Sequence, residues 1–375
     1  MTKAVVHICM SDGWGGLEQY PLTLAKPFAA QGVDVFYWAL ENTHFAERAT
    51  QQNFNLRLFA SRWQFVKQIK NLVAWVKEQQ VSAIHFHKST DLRLALLLRF
   101  YLPKVRLIFT EHMNVKRNKK SLYHRLIYKY LDHVIAISDY TRINNLRSLP
   151  VAPEKLTRLY SGIDLTRFYP SLIGEKREDL RAELGLTADT LAFALPGRIT
   201  VDKRQDVFVQ AIELLRKKLP INQPIKAFII GGLTAYEGSD EPAVAHLQQL
   251  LANSTVANEV VLTGYRADMH QVLQAMDLVC IPSREEPFGL AVIEAMALGL
   301  PVVGSATGAI PEILGVDGRY GLLAETDNPA AFAEQFYALA VNPELRKSVG
   351  AAGLKRVQET FDLEHHVTEL LKFYE

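Results

Sequence analysis

Short apolar segments rich in β-branched and aromatic residues alternate along the chain with segments of helical length. In the first half the apolar segments cover residues 4–10, 33–40, 83–86, 106–110 and 133–138, and in the second half 191–197, 226–232, 260–264, 277–282 and 300–305. The helix-length segments between them include 17–30, 61–79, 203–218 and 289–299. A strand followed by a helix, repeated, is typical of βαβ units on a parallel sheet. We therefore predict an α/β fold with two doubly wound domains of about five strands each.

The chain length of 375 residues also favours two domains, since domains usually contain about 100–200 residues. Residues 160–176 contain glycine and proline and show no clear period, which is typical of a domain boundary. We predict an N-terminal domain over residues 1–165 and a C-terminal domain over residues 172–360. The amphipathic segment 361–375 is predicted to form a terminal helix that packs back on the first domain.

The composition excludes several classes of protein. With 49% hydrophobic and 22% charged residues, the chain is neither disordered, collagen-like nor a coiled coil. The first residues lack the apolar core of a signal peptide, and no apolar run reaches the roughly 18 residues of a transmembrane helix. Cys9 and Cys280 each lie in an apolar run, which predicts buried free thiols in a reducing, cytoplasmic compartment.

Charge is distributed unevenly between the two halves. Residues 1–170 contain 24 Lys and Arg against 12 Asp and Glu, a formal charge of +12. Residues 171–375 contain 18 against 28, a formal charge of −10, so that the net charge is +2. A basic first half predicts an anionic partner, for which nucleic acid, a phospholipid surface and a phosphorylated substrate all qualify.

The first predicted strand leads into a glycine-containing loop, SDGWGG, and then into a helix. Such a turn lies at the carboxyl edge of a parallel sheet, where ligands bind. Gly15 and Gly16 would let the backbone approach a diphosphate closely. The spacing is not that of a dinucleotide fingerprint. Two interpretations stay open, namely ligand binding and a turn that requires positive φ.

A second turn of this kind, LPGRITVDK, opens the second half of the chain. Arg198 and Lys203 lie five positions apart across its loop, so that both charged groups could converge on one diphosphate. The P-loop pattern is absent. Taken alone, the pair could also be two solvated surface cations.

The segment EEPFGLAVIEAMALGLPVVG carries Glu286 and Glu294, eight positions apart. Glu294 falls in the second turn of an otherwise apolar predicted helix, where a carboxylate is costly without a partner. The paired hydroxyls of a sugar or ribose would supply one. The backbone amides of Phe288, Gly289 and Leu290 would open that helix and could bind a phosphate. The alternative is a helix with a surface glutamate.

Residues 286–308, EPFGLAVIEAMALGLPVVGSATG, resemble the Glu-x7-Glu segment of retaining glycosyltransferases of the family-four type, which have the GT-B fold. The resemblance covers nearly the whole chain, because the glycine loop, the Arg–Lys pair and the glutamates occur in the expected order. It implies two Rossmann-like domains that face each other across a cleft. Gly308-Ala309 departs from the Gly-Gly of many relatives, and we expect no loss of activity from it.

The resemblance also implies a role for individual residues. Arg198 and Lys203 would bind the donor diphosphate, Glu286 the donor-sugar hydroxyls and Glu294 the nucleotide ribose. The amides of Phe288, Gly289 and Leu290 would help to hold phosphate and sugar, and Gly15 and Gly16 would face the diphosphate. A histidine that follows a strand of the first domain, here His112, would hydrogen-bond the donor sugar near the reacting carbon. The residues expected to be catalytic are His112, Arg198, Lys203 and Glu286.

Neither a metal site nor a cofactor is predicted. No Asp-x-Asp occurs in the chain, and the histidines do not show zinc spacing. A cationic pair and helix dipoles can stabilise a leaving diphosphate in place of a metal. The donor is expected to be a UDP- or GDP-sugar, with UDP-sugar favoured.

Residues 116–131, KRNKKSLYHRLIYKYL, predict a basic amphipathic helix suited to an anionic membrane surface. An ordinary helix with its apolar face in the core is the alternative. No nucleic-acid motif is present, so we expect no nucleic-acid partner. The protein would then lie in the cytoplasm, with peripheral contact to the cytoplasmic face of the inner membrane.

Together with these observations, the resemblance implies a retaining hexosyl- or N-acetylhexosaminyl-type glycosyltransferase. Its acceptor would be an anionic or lipid-linked glycan, such as a lipopolysaccharide or other glycolipid precursor. A UDP-sugar epimerase of the same fold is the alternative enzyme, and a non-catalytic sugar-nucleotide sensor is the alternative from another class.

Overall fold

The structure is a computed structural model that describes residues 4–171 and 174–375. Its chain forms two compact units. The first contains the described residues up to Gly162 together with Leu363–Glu375, and the second contains those between Ile163 and Asp362. The C-terminal helix therefore belongs to the first unit, although the second unit separates it in sequence from the rest.

The first unit is built on seven strands in the order β3-β2-β1-β4-β5-β6-β7. The strands are β1 (Ala4–Cys9), β2 (Asp34–Leu40), β3 (Asn55–Phe59), β4 (Val81–Phe86), β5 (Arg106–Glu111), β6 (His133–Ala136) and β7 (Leu156–Arg158). The helices are α1 (Gly16–Thr23), α2 (Ala25–Ala30), α3 (His44–Gln51), α4 (Arg62–Lys67), α5 (Ile69–Glu78), α6 (Arg93–Tyr101), α7 (Leu122–Lys129) and α8 (Asp139–Ser148).

The second unit is built on six strands in the order β10-β9-β8-β11-β12-β13. The strands are β8 (Leu191–Pro196), β9 (Ile225–Ile230), β10 (Val260–Leu262), β11 (Leu278–Ile281), β12 (Val302–Ser305) and β13 (Leu322–Ala324). The helices are α9 (Glu175–Glu183), α10 (Gln205–Lys218), α11 (Glu241–Ala252), α12 (Met269–Gln274), α13 (Leu290–Ala297), α14 (Ile310–Leu314), α15 (Pro329–Val341) and α16 (Pro343–Thr360), and α17 (Leu363–Leu371) returns to the first unit.

Every pair of neighbouring strands in the two sheets is parallel. Helices must then cover both faces of each sheet, which is why the central strands are buried along their length. β1 is buried at all six positions, and β8 at five of six. The predicted α/β class with two doubly wound domains is confirmed.

Three strands of the structure were not predicted, namely β3, β7 and β13. Each lies at the edge of its sheet. Their residues are mostly half-buried or exposed, so they lack the continuous apolar run that marks a strand buried on both faces. The expectation of about five strands per domain was too low for this reason.

Three helix predictions were too long. The helix expected over residues 61–79 is divided at Gln68 into α4 and α5. The single helix expected over residues 17–30 is divided at Leu24 into α1 and α2, because Pro27 has no N–H to donate to the carbonyl of Thr23. The basic helix expected over residues 116–131 is helical only from Leu122 to Lys129. Ser121 caps it by accepting a hydrogen bond from the amide of His124, and the basic residues before Ser121 lie in irregular backbone.

The strand order reverses once in each sheet. In the first sheet β1 lies between β2 and β4, and in the second β8 lies between β9 and β11. In open parallel sheets the crevice outside the carboxyl ends at such a reversal is where ligands bind. The loops that follow β1 and β4 in one unit, and β8 and β11 in the other, are therefore the places to look for a site.

Both cysteines are buried and free, as predicted. None of the helices in the described part of the chain combines the length and the apolar character that crossing a membrane requires.

Candidate functional site

The second unit brings together two sequence-predicted residues at its strand-order reversal. Lys203 ends a short 3-10 turn after β8, and Glu286 follows β11. The Nζ of Lys203 donates a hydrogen bond of 2.6 Å to Oε2 of Glu286. The side chain of Glu286 retains 12% of its accessible surface and that of Lys203 retains 28%. A cation and a carboxylate thus form one half-buried pair at the carboxyl edge of the sheet.

The backbone of Glu286 is fixed by close contact with Gly308. A Cβ at position 308 would lie 2.7 Å from the carbonyl oxygen of Glu286 and 2.8 Å from its nitrogen, and Gly308 has a φ of +64°. Any side chain at position 308 would therefore displace Glu286. The amide of Ala309 donates to the Glu286 carbonyl at 2.9 Å. Ala309 has a right-handed backbone, so glycine is not required at that position.

Glu294 lies eight positions after Glu286, in the second turn of α13. Its carboxyl group forms no hydrogen bond or ion pair with residues 4–171 or 174–375. Desolvation raises the pKa of Glu294 to about 7, opposed by the positive charges of Arg167 and Lys203. A desolvated carboxyl group without a partner is unfavourable in the free protein. It is a ready acceptor for ligand hydroxyl groups.

The start of α13 lies between the two glutamates. Gly289 caps the helix with a φ of +107°, and no side chain caps it. The first amides of a helix have no partner within the helix and carry partial positive charge. Phe288 is buried, and its ring contacts that of Phe361 at 5.9 Å between centroids. The loop is thereby anchored, and the helix N-terminus beside Glu286 is suited to bind an anion.

Arg198 is exposed and follows Gly197, which has a φ of +131°. Its Nη1 donates to the carbonyl of Gly238 at 3.4 Å. The loop is tightly packed, because a Cβ at Gly231 would lie 2.1 Å from the Gly197 carbonyl oxygen. The structure thus gives Arg198 and Lys203 different partners.

In the first unit the glycine loop follows β1. Gly15 has a φ of −175°, an extended conformation open to any residue, and Gly16 begins α1. Neither glycine has positive φ, so the interpretation as a turn that requires positive φ is wrong. Glu18 in α1 is buried and accepts a hydrogen bond of 2.6 Å from Ser11.

His112 follows β5 and is 8% exposed. Its Nε2 lies 3.2 Å from Nδ1 of His87, and Nε2 of His87 lies 2.8 Å from Nδ1 of His7. The rings of Tyr20 and His112 are in edge-type contact, with 4.9 Å between their centroids. His112 therefore ends a hydrogen-bonded series of three imidazoles that we call the histidine chain, composed of His7, His87 and His112.

Two further buried histidines, His85 and His366, lie next to the histidine chain, and we call all five residues the histidine cluster. Nδ1 of His366 in α17 lies 2.6 Å from the Tyr160 carbonyl, and its Nε2 lies 2.7 Å from the Tyr20 hydroxyl. His85 is hydrogen-bonded on both sides, to Tyr374 at 2.6 Å and to Thr110 at 2.7 Å.

Desolvation keeps the cluster uncharged. It lowers the pKa of His7 and His112 to about 3 and that of His366 to about 4. The pKa values of His85 and His87 are also lowered, first by burial and then by the neighbouring histidines.

A ligand atom from each of His7, His85 and His87 lies within 4.8 Å of the others, a spacing at which three side chains could in principle share a metal ion. Two nitrogens on one tetrahedral zinc at 2.0–2.1 Å lie about 3.3 Å apart. His7 and His87 are closer, at 2.8 Å, and share a hydrogen bond. Both nitrogens of His85 are engaged by hydroxyl groups. The donor set is therefore arranged for hydrogen bonding and not for a metal.

Sequence analysis missed the histidine chain beyond His112. His7 and His85 are register partners on adjacent strands, and His87 follows β4. The His-x-His pattern at the end of a predicted strand was the available signal. His7 gives none, because it lies inside an apolar strand and its partner is 80 residues away.

Two family models match the chain. The model described as Glycosyltransferase Family 4 matches residues 14–167, and the model described as Glycosyl transferases group 1 matches residues 191–342. The second match lies within the second structural unit, and the first covers the first unit from residue 14 to Gly162 and extends five residues beyond it.

Curated relatives are similar over part of their length. A D-inositol 3-phosphate glycosyltransferase of Jonesia denitrificans is 32% identical over 226 residues, which is 60% of this chain and 52% of that protein. One of Mycobacteroides abscessus is 36% identical over 200 residues, which is 53% of this chain and 41% of that protein. The matches thus span about half the length of these relatives.

Solved structures share the fold over nearly all of both chains. A glycosyltransferase from Rickettsia africae has a TM-score of 0.88 at 18% identity and covers 100% of this chain and 98% of its own. Anabaena HepE in complex with UDP and glucose has a TM-score of 0.83 at 20% identity, with 99% and 98% covered. WaaG, a glycosyltransferase involved in lipopolysaccharide biosynthesis, has a TM-score of 0.69 at 17% identity, with 99% of each chain covered. The two units therefore have the GT-B type of Rossmann-like fold.

Proposed function

Since the chain belongs to the glycosyltransferases that the family-4 and group-1 models describe, we propose that it transfers a sugar from a nucleotide-diphosphate sugar to an acceptor hydroxyl group. The observation that carries this proposal is the arrangement of Lys203, Glu286, the α13 N-terminus and Glu294 at the β8/β11 reversal. The carboxyl group of Glu294 has no hydrogen-bond partner among the described residues. It offers a cation and amides for phosphate beside two carboxyl groups for hydroxyls.

We assign the roles by chemistry. Lys203 and the first amides of α13 would hold the diphosphate, Glu286 the hydroxyls of the donor sugar, and Glu294 the ribose. Arg198 would leave the Gly238 carbonyl, to which it bonds at 3.4 Å, for a phosphate oxygen. Because Arg198 is exposed and this hydrogen bond is long and weak, breaking it costs little free energy. Gly15, Gly16 and His112 remain predictions for the donor site.

A UDP-sugar is the proposed donor. Support comes from Anabaena HepE, whose solved complexes contain UDP and UDP-glucose. The proposed transferred sugar is a hexose or an N-acetylhexosamine.

The proposed acceptor is an anionic or lipid-linked glycan. The basic first half, with a formal charge of +12 over residues 1–170, would attract an anionic acceptor. The relatives that act on D-inositol 3-phosphate, as their name states, and the lipopolysaccharide enzyme WaaG are in keeping with an acceptor of this chemistry.

Peripheral membrane contact is proposed for α7. Leu122, Tyr123 and Leu126 are exposed, at 82%, 55% and 46%, and Arg125 and Lys129 beside them are exposed too. Apolar and basic side chains on one short helix favour an anionic lipid surface.

Vesicle flotation tests this contact. The protein should float with vesicles that contain phosphatidylglycerol and remain unbound with phosphatidylcholine alone, and Leu122→Glu with Leu126→Glu should abolish flotation. Equal flotation of the double variant would refute a role for α7.

The chemistry we propose needs no metal. Departure of the nucleoside diphosphate leaves negative charge on its phosphate, which Lys203, Arg198 and the α13 N-terminus would stabilise. The acceptor proton would pass to that leaving phosphate, since both carboxyl groups of the site are assigned to donor hydroxyls.

Arg198→Ala and Lys203→Ala should each lower turnover more than stability. Loss of a charged hydrogen bond to the developing diphosphate costs about 2–4 kcal/mol in the transition state, or roughly 30- to 1000-fold in rate. Nucleotide release in excess EDTA and thermal unfolding are measured together. Lys226→Ala is the matched control, because Lys226 is a lysine of the same unit that bonds to the carbonyl of Asn258. Near-normal turnover in both variants would rule out the diphosphate assignment.

The product should retain the anomeric configuration of the donor. Inversion needs a base on the acceptor side. The candidates there are Asp12 and Glu18, and Glu18 is already bonded to Ser11 and buried. NMR of the product of an α-linked nucleotide sugar should show an α linkage. A β-linked product would contradict this mechanism and make Asp12→Asn the next variant to study.

A further inference from the structure

The histidine chain restricts where its protons can lie. A neutral imidazole carries one N–H, so one nitrogen donates and the other accepts. Nδ1 of His7 bonds to Nε2 of His87, and Nδ1 of His87 bonds to Nε2 of His112. With all three rings neutral, only two arrangements satisfy both bonds. The protons lie either on every Nδ1 or on every Nε2.

His7, at the end of the histidine chain opposite His112, distinguishes the two proton arrangements. Nε2 of His7 is buried and has no hydrogen-bond partner among the described residues. His7 itself is fully buried, and the rings of Phe28 and Tyr37 pack against it at 5.8 and 5.7 Å between centroids. An unpaired buried N–H is rarer in proteins than an under-used acceptor. The proton therefore belongs on Nδ1 of His7, which leaves the bare nitrogen at Nε2.

We propose that His7 and His87 are positioning residues that hold His112 as a neutral imidazole with its proton on Nδ1. His7 donates to His87, His87 donates to His112, and Nδ1–H of His112 is left as the donor for a ligand. This inference rests on the proposed function for its use in catalysis, but the tautomer itself does not depend on substrate.

The tautomer defines what His112 does. Its Nε2 lone pair is occupied by His87, and its Nδ1 already carries a proton, so His112 cannot remove the proton of an acceptor hydroxyl. It can donate a hydrogen bond from Nδ1 to an oxygen of the donor sugar. A histidine that donates and does not act as a base agrees with the proposed transfer with retention, in which the leaving phosphate takes the acceptor proton.

The surrounding hydrogen bonds keep the chain in place. Nδ1 of His366 donates to the Tyr160 carbonyl, so its Nε2 must accept from the Tyr20 hydroxyl. This bond fixes the Tyr20 side chain, whose ring centroid lies 4.9 Å from that of His112. The low pKa values of the three chain histidines, caused by burial, keep all three rings neutral near pH 7.

Nitrogen NMR of histidine-labelled protein tests the tautomer directly, because protonated and bare ring nitrogens have distinct shifts. We expect the His112 spectrum of the free wild-type protein, assigned by its loss in His112→Gln, to show a protonated Nδ1. A protonated Nε2 on His112 would overturn the proposal whatever the activity. A wild-type protein with the expected tautomer but no transferase activity would refute the proposed function alone.

Variants at His87 test the positioning role. His87→Phe keeps a ring but no donor, so His112 should become a mixture of tautomers and kcat should fall about two- to tenfold, the effect of one hydrogen bond. In His87→Asn the side-chain amide can replace Nδ1 as donor, so tautomer and kcat should recover. Tyr374→Phe is the matched control, since it removes a bond to His85 at the same depth without touching the chain. An unchanged His112 tautomer in a folded His87→Phe would overturn the proposal.

Discussion

Parallel pairing of all neighbouring strands is the constraint on which the rest of the structure depends. A parallel sheet requires crossover helices on both faces, which buries the strands and sends every strand-to-helix loop to the same edge. Where the strand order reverses, two of these loops part and leave a crevice. In the second unit the loops after β8 and β11 meet this condition and carry Lys203 and Glu286. In the first unit the loops after β1 and β4 meet it, and His87 lies in the loop after β4, hydrogen-bonded to His112.

Much of the fold follows from local sequence, and the exceptions have a common cause. Central strands are apolar on both faces, so runs such as AVVHIC and LAFALP identify them without any knowledge of their neighbours. Edge strands such as Asn55–Phe59 are half-exposed and mix polar with apolar residues, so only pairing with a neighbour defines them. The length of the helix predicted over residues 116–131 was overestimated. Its charged first part has helical spacing, but the helix begins only after Ser121, which caps it.

For the site, too, some features could be predicted from local sequence and others depend on contacts between distant residues. The Glu286–Glu294 spacing and the glycine cap of α13 are local, and both could be identified from sequence. The hydrogen bond between Lys203 and Glu286 joins residues 83 positions apart. Their sequence motifs imply separate roles and do not indicate that the two residues pair. The histidine chain is less accessible still, because it draws single residues from three strand regions and is supported by His366 from the last helix. Folding brings these histidines, which are far apart in sequence, together in one buried hydrogen-bonded series.

The central claim is that the Lys203–Glu286–Glu294 arrangement holds a nucleotide sugar for transfer to an acceptor. The most direct measurement is nucleotide release from a panel of UDP- and GDP-sugars, with isolated membrane lipid as acceptor and product detected by mass. The account predicts release of one nucleotide, matched by an equal amount of glycosylated lipid and dependent on acceptor. Conversion of the donor sugar without release would identify an epimerase, and donor binding without turnover would identify a sensor. Either result would contradict the account.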